Sequence, residues 1–292
     1  MSGIERLGQR QARRRLWRRR GRELAKYLPL VPFLIFALFP LYFMLVTSLK
    51  SDAELYDLKA VPFLIQQGID FGHYLYLLST PFLTWMKNSL LVSSLSTAIS
   101  VCIGILAAYS LARLRFPAAN SFGTGIFITY LVPTSLLFLP LSRVIHGFGL
   151  SDSKWALVLT YPTFLVPFST WLLMGYFRTV PKEVEECAMV DGCTRLQALI
   201  RIVLPMAIPG IVCAVLFSFT LSWNEFIYAL TFTSSSEELT ATVGITTELI
   251  RGDIYYWGSL MAGAMLGSIP IVLVYVFFMD YYVSGLTAGA VK

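Results

Sequence analysis

The chain has 292 residues, 56% of them hydrophobic and only 14% charged, with a formal net charge of +6. Soluble domains carry about 25% charged residues, so this balance, with a mean hydropathy of +0.67, excludes a water-soluble protein and predicts an integral membrane chain. The positive charge does not point to nucleic acid, because ten of the 23 Lys and Arg residues crowd into the first 26 positions, with Trp17 the one aromatic residue among the arginine runs and no nucleic-acid-binding fold behind them.

In chain order, residues 1–26 read as a basic cytoplasmic tail and 27–292 as one transmembrane domain. A basic cluster beside a first apolar segment anchors that end inside. The segment 27–49 is too long for a signal-peptide core and no small-x-small cleavage pattern closes it, so it is expected to be a retained span. Further apolar runs predict helices over 88–112, 122–143, 154–177, 206–232 and 258–283. The fold class expected is therefore all-α: a polytopic membrane protein of six transmembrane helices.

Charge sets the expected orientation. The segments 1–26, 113–115, 178–205 and the C-terminal tail hold 17 of the 23 basic residues. Both termini are therefore expected in the cytoplasm. Two longer outer segments, 50–87 and 233–257, carry eight of the 17 acidic residues, and their Tyr and Trp residues suit the interfacial belt. Cys102 and Cys213 fall in apolar spans. Cys187 and Cys193 lack His neighbours or a paired C-x-x-C, so no metal site is expected. His73 and His146 stand alone in outer segments, and no nucleophile–base pair emerges from spacing, so no catalytic residues are assigned.

The informative feature is the polar interruption at 178–205. Pro181 suits a first helical turn. Glu183, Glu185 and Glu186 follow where carboxylates favour the positive helix end. Ala188 is small enough for close approach, and Gly192 suits a left-handed helix end. Leu196, Leu199, Ile200 and Val203 then recur at i, i+3, i+4 and i+7, predicting an amphipathic helix with one apolar stripe. Pro205 and Pro209 mark the turn into the fifth span. A short helix, a glycine hinge and a second helix suit a lever resting on a soluble partner, or alternatively a helix pair lying at the headgroups.

This pattern resembles the signature of ABC-importer permeases: Glu-Ala-Ala, three residues, Gly, nine residues, Ile, one residue, Leu-Pro. Glu186, Ala188, Gly192, Ile202, Leu204 and Pro205 fall at those spacings, Asp191 matches the Asp that commonly precedes the Gly, and Cys187 departs from the usual Ala. Asn88-Ser89, the run from Ala107 to Arg113, Ser222-Trp223-Asn224-Glu225-Phe226 and the tail from Gly285 are similar to the carbohydrate branch of binding-protein-dependent importers, in the subunit like the smaller permease of the maltose type.

The resemblance implies a type I ABC-importer permease fold in a prokaryotic inner membrane. It further implies a second permease as heterodimer partner, a pair of ATP-binding subunits held through Glu186, Cys187, Ala188, Asp191, Gly192, Ile202, Leu204 and Pro205, and an extracytoplasmic solute-binding protein. No G-x-x-x-x-G-K-[ST] run occurs, so the chain is expected to be a transport subunit and not an enzyme, with no cofactor of its own and ATP bound by its partners. Trp223, Asn224 and Glu225 are expected near the outer boundary, either hydrated at a helix end or lining the outer cavity or touching the binding protein. No motif assigns substrate-binding residues. The alternatives are the same machine for a phosphorylated polyol or a polyamine, and, in a different class, a stand-alone channel or membrane enzyme.

Overall fold

The computed structural model describes residues 27–114 and 116–288; the basic segment 1–26, Arg115 and the last four residues lie outside the described residues. In hydrocarbon no water satisfies a backbone N–H or C=O, so long apolar runs close their hydrogen bonds within themselves as helices. After a 3-10 turn at Leu28–Leu30, α1 spans Val31–Ser48. The short α2 (Asp52–Leu55) and α3 (Gly72–Ser79) lead to α4, Phe82–Arg113. Next come α5 (Ala119–Tyr130), α6 (Thr134–Gly147), α7 (Lys154–Thr160) and α8 (Pro162–Thr179).

The polar interruption forms α9 (Lys182–Val190), α10 (Arg195–Ala198), a π-helical turn at Leu199–Val203 and α11 (Leu204–Met206). The rest is α12 (Ile208–Trp223), α13 (Ile227–Phe232), α14 (Ala241–Leu249) and α15 (Trp257–Ala288). A two-stranded antiparallel hairpin, β1 (Ile250–Arg251) and β2 (Ile254–Tyr255), sits between α14 and α15, with Ile250 opposite Tyr255.

Among the described residues, four helical stretches are long and apolar enough to cross a membrane, or up to six if each of two bent pairs counts as one span. One bend corrects an expected continuous span. The third span was expected to run through 122–143, but α5 and α6 meet at 92°. Pro133 supplies no N–H and disfavours helical geometry in the residue before it. The 80° turn between α11 and α12 falls where Pro205 and Pro209 marked the turn into the fifth span. That span was expected over 206–232, but α12 stops at Trp223. The second span starts earlier than expected, at Phe82 behind Pro81.

At 1.5 Å per residue α4 is about 48 Å long, well beyond a hydrocarbon core of about 30 Å. It is the axis of the fold and packs along α8 and α12. Its buried residues Ser89, Ser93, Ser96, Thr97, Ser100, Gly104 and Ala108 form one seam of small side chains. Where lipid is as apolar as Leu, small residues that let backbones approach are what hold helices together. Gly104 shows the closeness: a Cβ there would lie 2.9 Å from the Ser169 Cβ of α8. Ser169 in turn shares a 3.0 Å hydrogen bond with Ser218 of α12.

Two buried clusters cap the seam. Leu77, Trp85, Tyr161, Leu165, Tyr228 and Val243 gather at the end where α4 begins. Val101, Tyr109, Leu173, Phe177, Leu199 and Val203 gather where it ends, beside the polar segment.

The segment after α1 is not a slack loop. Lys50 Nζ lies 3.2 Å from Glu54 Oε1 with both side chains buried. The Glu54 carboxylate also accepts the N–H groups of Gln66 and Gln67, each at 3.0 Å. His73, expected to stand free in this segment, is buried, with ring nitrogens 2.9 Å from the Lys50 carbonyl and 3.3 Å from Ser259 Oγ of α15.

Candidate functional site

The polar segment begins where Val180 and Pro181 take extended backbone geometry and end α8. From Lys182 the chain is helical, with Glu183 and Glu185 in the first turn. Its C-terminal end is closed by two bonds: Cys193 N–H donates to the Ala188 carbonyl at 3.0 Å and Gly192 N–H to Met189 at 3.1 Å. This Schellman arrangement needs a residue in the left-handed region, and Gly192 supplies it at φ +91°. α10 then starts from a capping box, in which Gln197 N–H donates to Thr194 Oγ1 at 3.3 Å and Thr194 N–H to Gln197 Oε1 at 2.8 Å. Two separate helices joined by a glycine are thus specified locally.

The expected apolar stripe of the second helix is split. Leu199 and Val203 are buried, whereas Leu196 and Ile200 are 58% and 55% exposed. The π-helical turn changes the angular spacing of 3.6 residues per turn on which the stripe was read.

α9 has two distinct faces. Glu185 and Ala188 are buried, and the helix packs against the Leu199–Val203 turn. Glu186 and Cys187 are exposed, and Val190 is 87% exposed, an apolar side chain held almost wholly in the open. Asp191 and Gly192 are exposed at the helix end, while Ile202 and Leu204 are half-buried and Pro205 is exposed where the chain turns towards α12. The structure therefore gathers Glu186, Cys187, Asp191 and Gly192 on the open side of α9, and turns Ala188 towards the interior.

Sequence reasoning missed the grip on the inner face. Tyr109 Oη donates to Glu185 Oε1 at 2.6 Å. Arg113 Nε lies 3.2 Å from Glu185 Oε2, with side-chain exposures of 2% and 5%. The Nε–H does not aim at that oxygen, so this contact is ionic attraction and not a directed hydrogen bond. Arg113 Nη2 donates instead to the Val180 carbonyl at 2.7 Å. Arg113, Lys182, Glu185, Glu186, Met189 and Arg195 border a cleft of about 400 Å³ beside this grip. Tyr109 and Arg113 stand one helical turn apart at the end of α4, which was the available signal. Their partner lies far off in sequence, and no spacing rule joins it to them.

At the opposite end, Trp223 is buried and stacked on Phe219 with ring centres 5.6 Å apart. Asn224 is exposed, and its Nδ2 donates to the Thr220 carbonyl at 2.9 Å. Glu225 does not ride on the fifth helix as expected; its carboxylate closes the start of α13. It accepts Tyr228 N–H at 2.9 Å, Ala229 N–H at 3.1 Å and the Tyr161 hydroxyl at 3.1 Å. Unpaired N–H groups at a helix start attract a carboxylate, so this charge serves a helix end inside the fold.

A helical membrane bundle crossed by bent spans, with a polar two-helix elbow braced against the 32-residue α4, fits a transport permease. The chain belongs to the binding-protein-dependent transport system inner membrane component family, whose model matches residues 100–287. It is thus an ABC-transporter permease and an integral membrane protein.

Among similar proteins, the inner membrane ABC transporter permease protein YcjP of Escherichia coli is 37% identical over 269 residues, covering 91% of this chain and 95% of that one. The diacetylchitobiose uptake system permease protein DasC of Streptomyces coelicolor is 34% identical, covering 87% and 91%. The trehalose/maltose transport system permease protein MalG of Thermococcus litoralis is also 34% identical, covering 88% and 92%. In fold, the chain is similar to a solved bacterial ABC transporter involved in the import of the acidic polysaccharide alginate. That likeness has a TM-score of 0.74 at 21% identity and covers 90% of this chain and 97% of the other.

Proposed function

We propose that this chain is one of two permease subunits in an ATP-driven importer of a sugar or oligosaccharide. The α9 end faces the cytoplasm, as its share of the basic residues supports. There the open side of α9, with Glu186, Cys187, Asp191 and Gly192, seats in a groove of an ATP-binding subunit, and Ile202, Leu204 and Pro205 hold the exit into the bundle. ATP binds only to those partners, and the chain itself performs no hydrolysis. Closure of the ATP-binding pair pushes α9, and the bundle rocks from inward-facing to outward-facing. An extracytoplasmic binding protein docks at the opposite end, where Asn224 is the open member of the Trp223-Asn224-Glu225 group, and releases solute into the cavity.

The observation that carries the reading is the division of α9: Glu185 is locked inward while Val190, one helix end away, is 87% exposed. An exposed carboxylate and an exposed apolar side chain, on a helix whose other face is fastened to the bundle, support reading that open side as a surface for a partner. The saccharide class is supported by relatives at 34% identity, the permease proteins of a diacetylchitobiose uptake system and of a trehalose/maltose transport system.

The test is uptake into vesicles holding this permease with its paired permease, its ATP-binding subunits and its binding protein. ATP-dependent accumulation of a labelled di- or oligosaccharide is expected. Accumulation of a polyamine or a phosphorylated polyol instead would replace the substrate class. Flux without any ATP-binding subunit would refute the machine.

A further inference from the structure

We propose that Glu185, Arg113 and Tyr109 are positioning residues for energy coupling: a buried joint that makes α9 and α4 move as one body. The inference rests on the reading of α9 as the docking helix and assigns how its motion enters the bundle.

The backbone alone does not provide that rigidity. α9 is bounded by extended residues at Val180 and Pro181 and by left-handed Gly192. Both ends are hinges in the chain, about which a short helix swivels. What removes the swivel is sideways: the Tyr109 hydroxyl at 2.6 Å and the Arg113 guanidinium at 3.2 Å, both on the carboxylate of Glu185. The same guanidinium holds the Val180 carbonyl at 2.7 Å, so one side chain ties α4, the α8–α9 connection and α9 together.

Arg suits this task because its planar fork presents several fixed donors, whereas Lys presents one mobile point charge. Burial sharpens the joint. Neither charge is able to drift into water, so separating them is costly and the pair has one favoured geometry. Successive residues on a helix point about 100° apart. Glu185 and Glu186 therefore divide two tasks between neighbouring carboxylates, one fastened to the bundle and one turned to the partner. A push received on the outer face passes through Glu185 to the end of α4, the helix against which α8 and α12 pack.

The test uses two readouts. In the first, nitroxide labels are placed on the native thiols Cys102 of α4 and Cys187 of α9, both exposed, with Cys193 and Cys213 replaced. The purified permease is put in lipid nanodiscs and the label-to-label distance distribution is measured by pulsed electron resonance. Glu185→Gln and Arg113→Lys should each widen the distribution on the order of twofold, because the inward hold on α9 is then weakened while Gly192 at its far end permits a turn. Tyr109→Phe, which removes one hydroxyl from a buried site and leaves the ion pair, is the gentlest variant and should widen it less. A distribution unchanged in all three overturns the joint, whatever the partners do.

In the second, the variants are reconstituted in the full transporter. Solute moved per ATP hydrolysed should fall on the order of tenfold in Glu185→Gln, the factor for weakening one charged hydrogen bond, while co-purification of the ATP-binding subunits is retained. An unaltered ratio would overturn the coupling role even if the helix loosens. If the unsubstituted chain fails to retain ATP-binding subunits at all, the docking reading of α9 falls, and the distance measurement still decides the joint.

Discussion

Gly210 of α12 lies directly against the ring of Tyr176 on α8: a Cβ added at position 210 would sit 2.3 Å from Tyr176 Cγ. The atom met is the root of the ring and not a flexible tip, so the clash is relieved only by moving a helix. Gly210→Val should therefore destabilise the bundle by roughly 1–3 kcal/mol, the usual cost of overpacking. Thermal unfolding of the detergent-solubilised chain checks this. An unchanged midpoint would mean that α8 and α12 are further apart than described.

Gly192 is the opposite case. Nothing lies within 4 Å of a Cβ built there, yet its φ of +91° is one that side chains with a Cβ rarely adopt. Gly192→Val should cost about 1–3 kcal/mol of local backbone strain and redirect the chain between α9 and α10. Gly192→Asn should be milder, because Asn tolerates the left-handed region better. The expected result in vesicles is ATP turnover that persists while uptake drops, more so for Val than for Asn. Equal uptake in both variants would remove the cap from the mechanism.

Glu186→Lys changes an exposed charge without touching the buried grip of its neighbour. The permease should fold as before, and recovery of ATP-binding subunits with it should fall several-fold. Full recovery of the complex would show that the open face of α9 is not the docking surface.

Asp152, between α6 and α7, holds the start of the 233–257 segment. Its carboxylate accepts Ser234 N–H at 2.7 Å and Ser235 N–H at 2.8 Å, and the Ser235 hydroxyl as well. These bonds, the Ser235 hydroxyl first, hold its pKa well below the usual carboxylate range. For Glu54, burial pushes the pKa up, but the Gln66 and Gln67 N–H groups and Lys50 together outweigh it and leave the pKa below its ordinary value. In both cases the folded chain binds fewer protons than the unfolded one. Their stabilisation is thus complete above the ordinary carboxylate pKa of about 4 and is lost as pH falls below it. Protection of the 234–235 and 66–67 amides, taken relative to their intrinsic exchange rates, should fall as pH drops below that value. In Asp152→Ala the 234–235 amides should exchange fast already at neutral pH, and slow exchange there would exclude the anchor.

Much of this was legible in the sequence because the bilayer enforces simple rules. Apolar runs became helices, and Pro181 and Gly192 marked the limits of α9 because each has a backbone property that no packing overrides. The bend at Pro133 was hidden because the residues on both sides of it stay apolar, so composition predicted one continuous span. For Glu225 the sequence left a helix-end role and a role towards the outer cavity or the binding protein side by side. The N–H groups at the start of α13 meet its carboxylate, and only the break of the fifth helix after Trp223 makes those groups available. Glu185 and Glu186 are adjacent and chemically identical, and only the approach of Tyr109 and Arg113 in three dimensions tells inward from outward.

The hydroxyl-lined contact of α4 with α8 and α12 bears on how such a bundle changes shape. Ser93, Ser96, Thr97, Ser100, Thr170 and Ser222 are buried there without a hydrogen-bond partner among the described residues. Interlocked branched side chains would fix one register. A seam of short side chains interlocks less than branched ones would, which suits small shear displacements of the packed helices. Replacing seam alcohols by Ala keeps the close approach, so such a protein should still insert and fold.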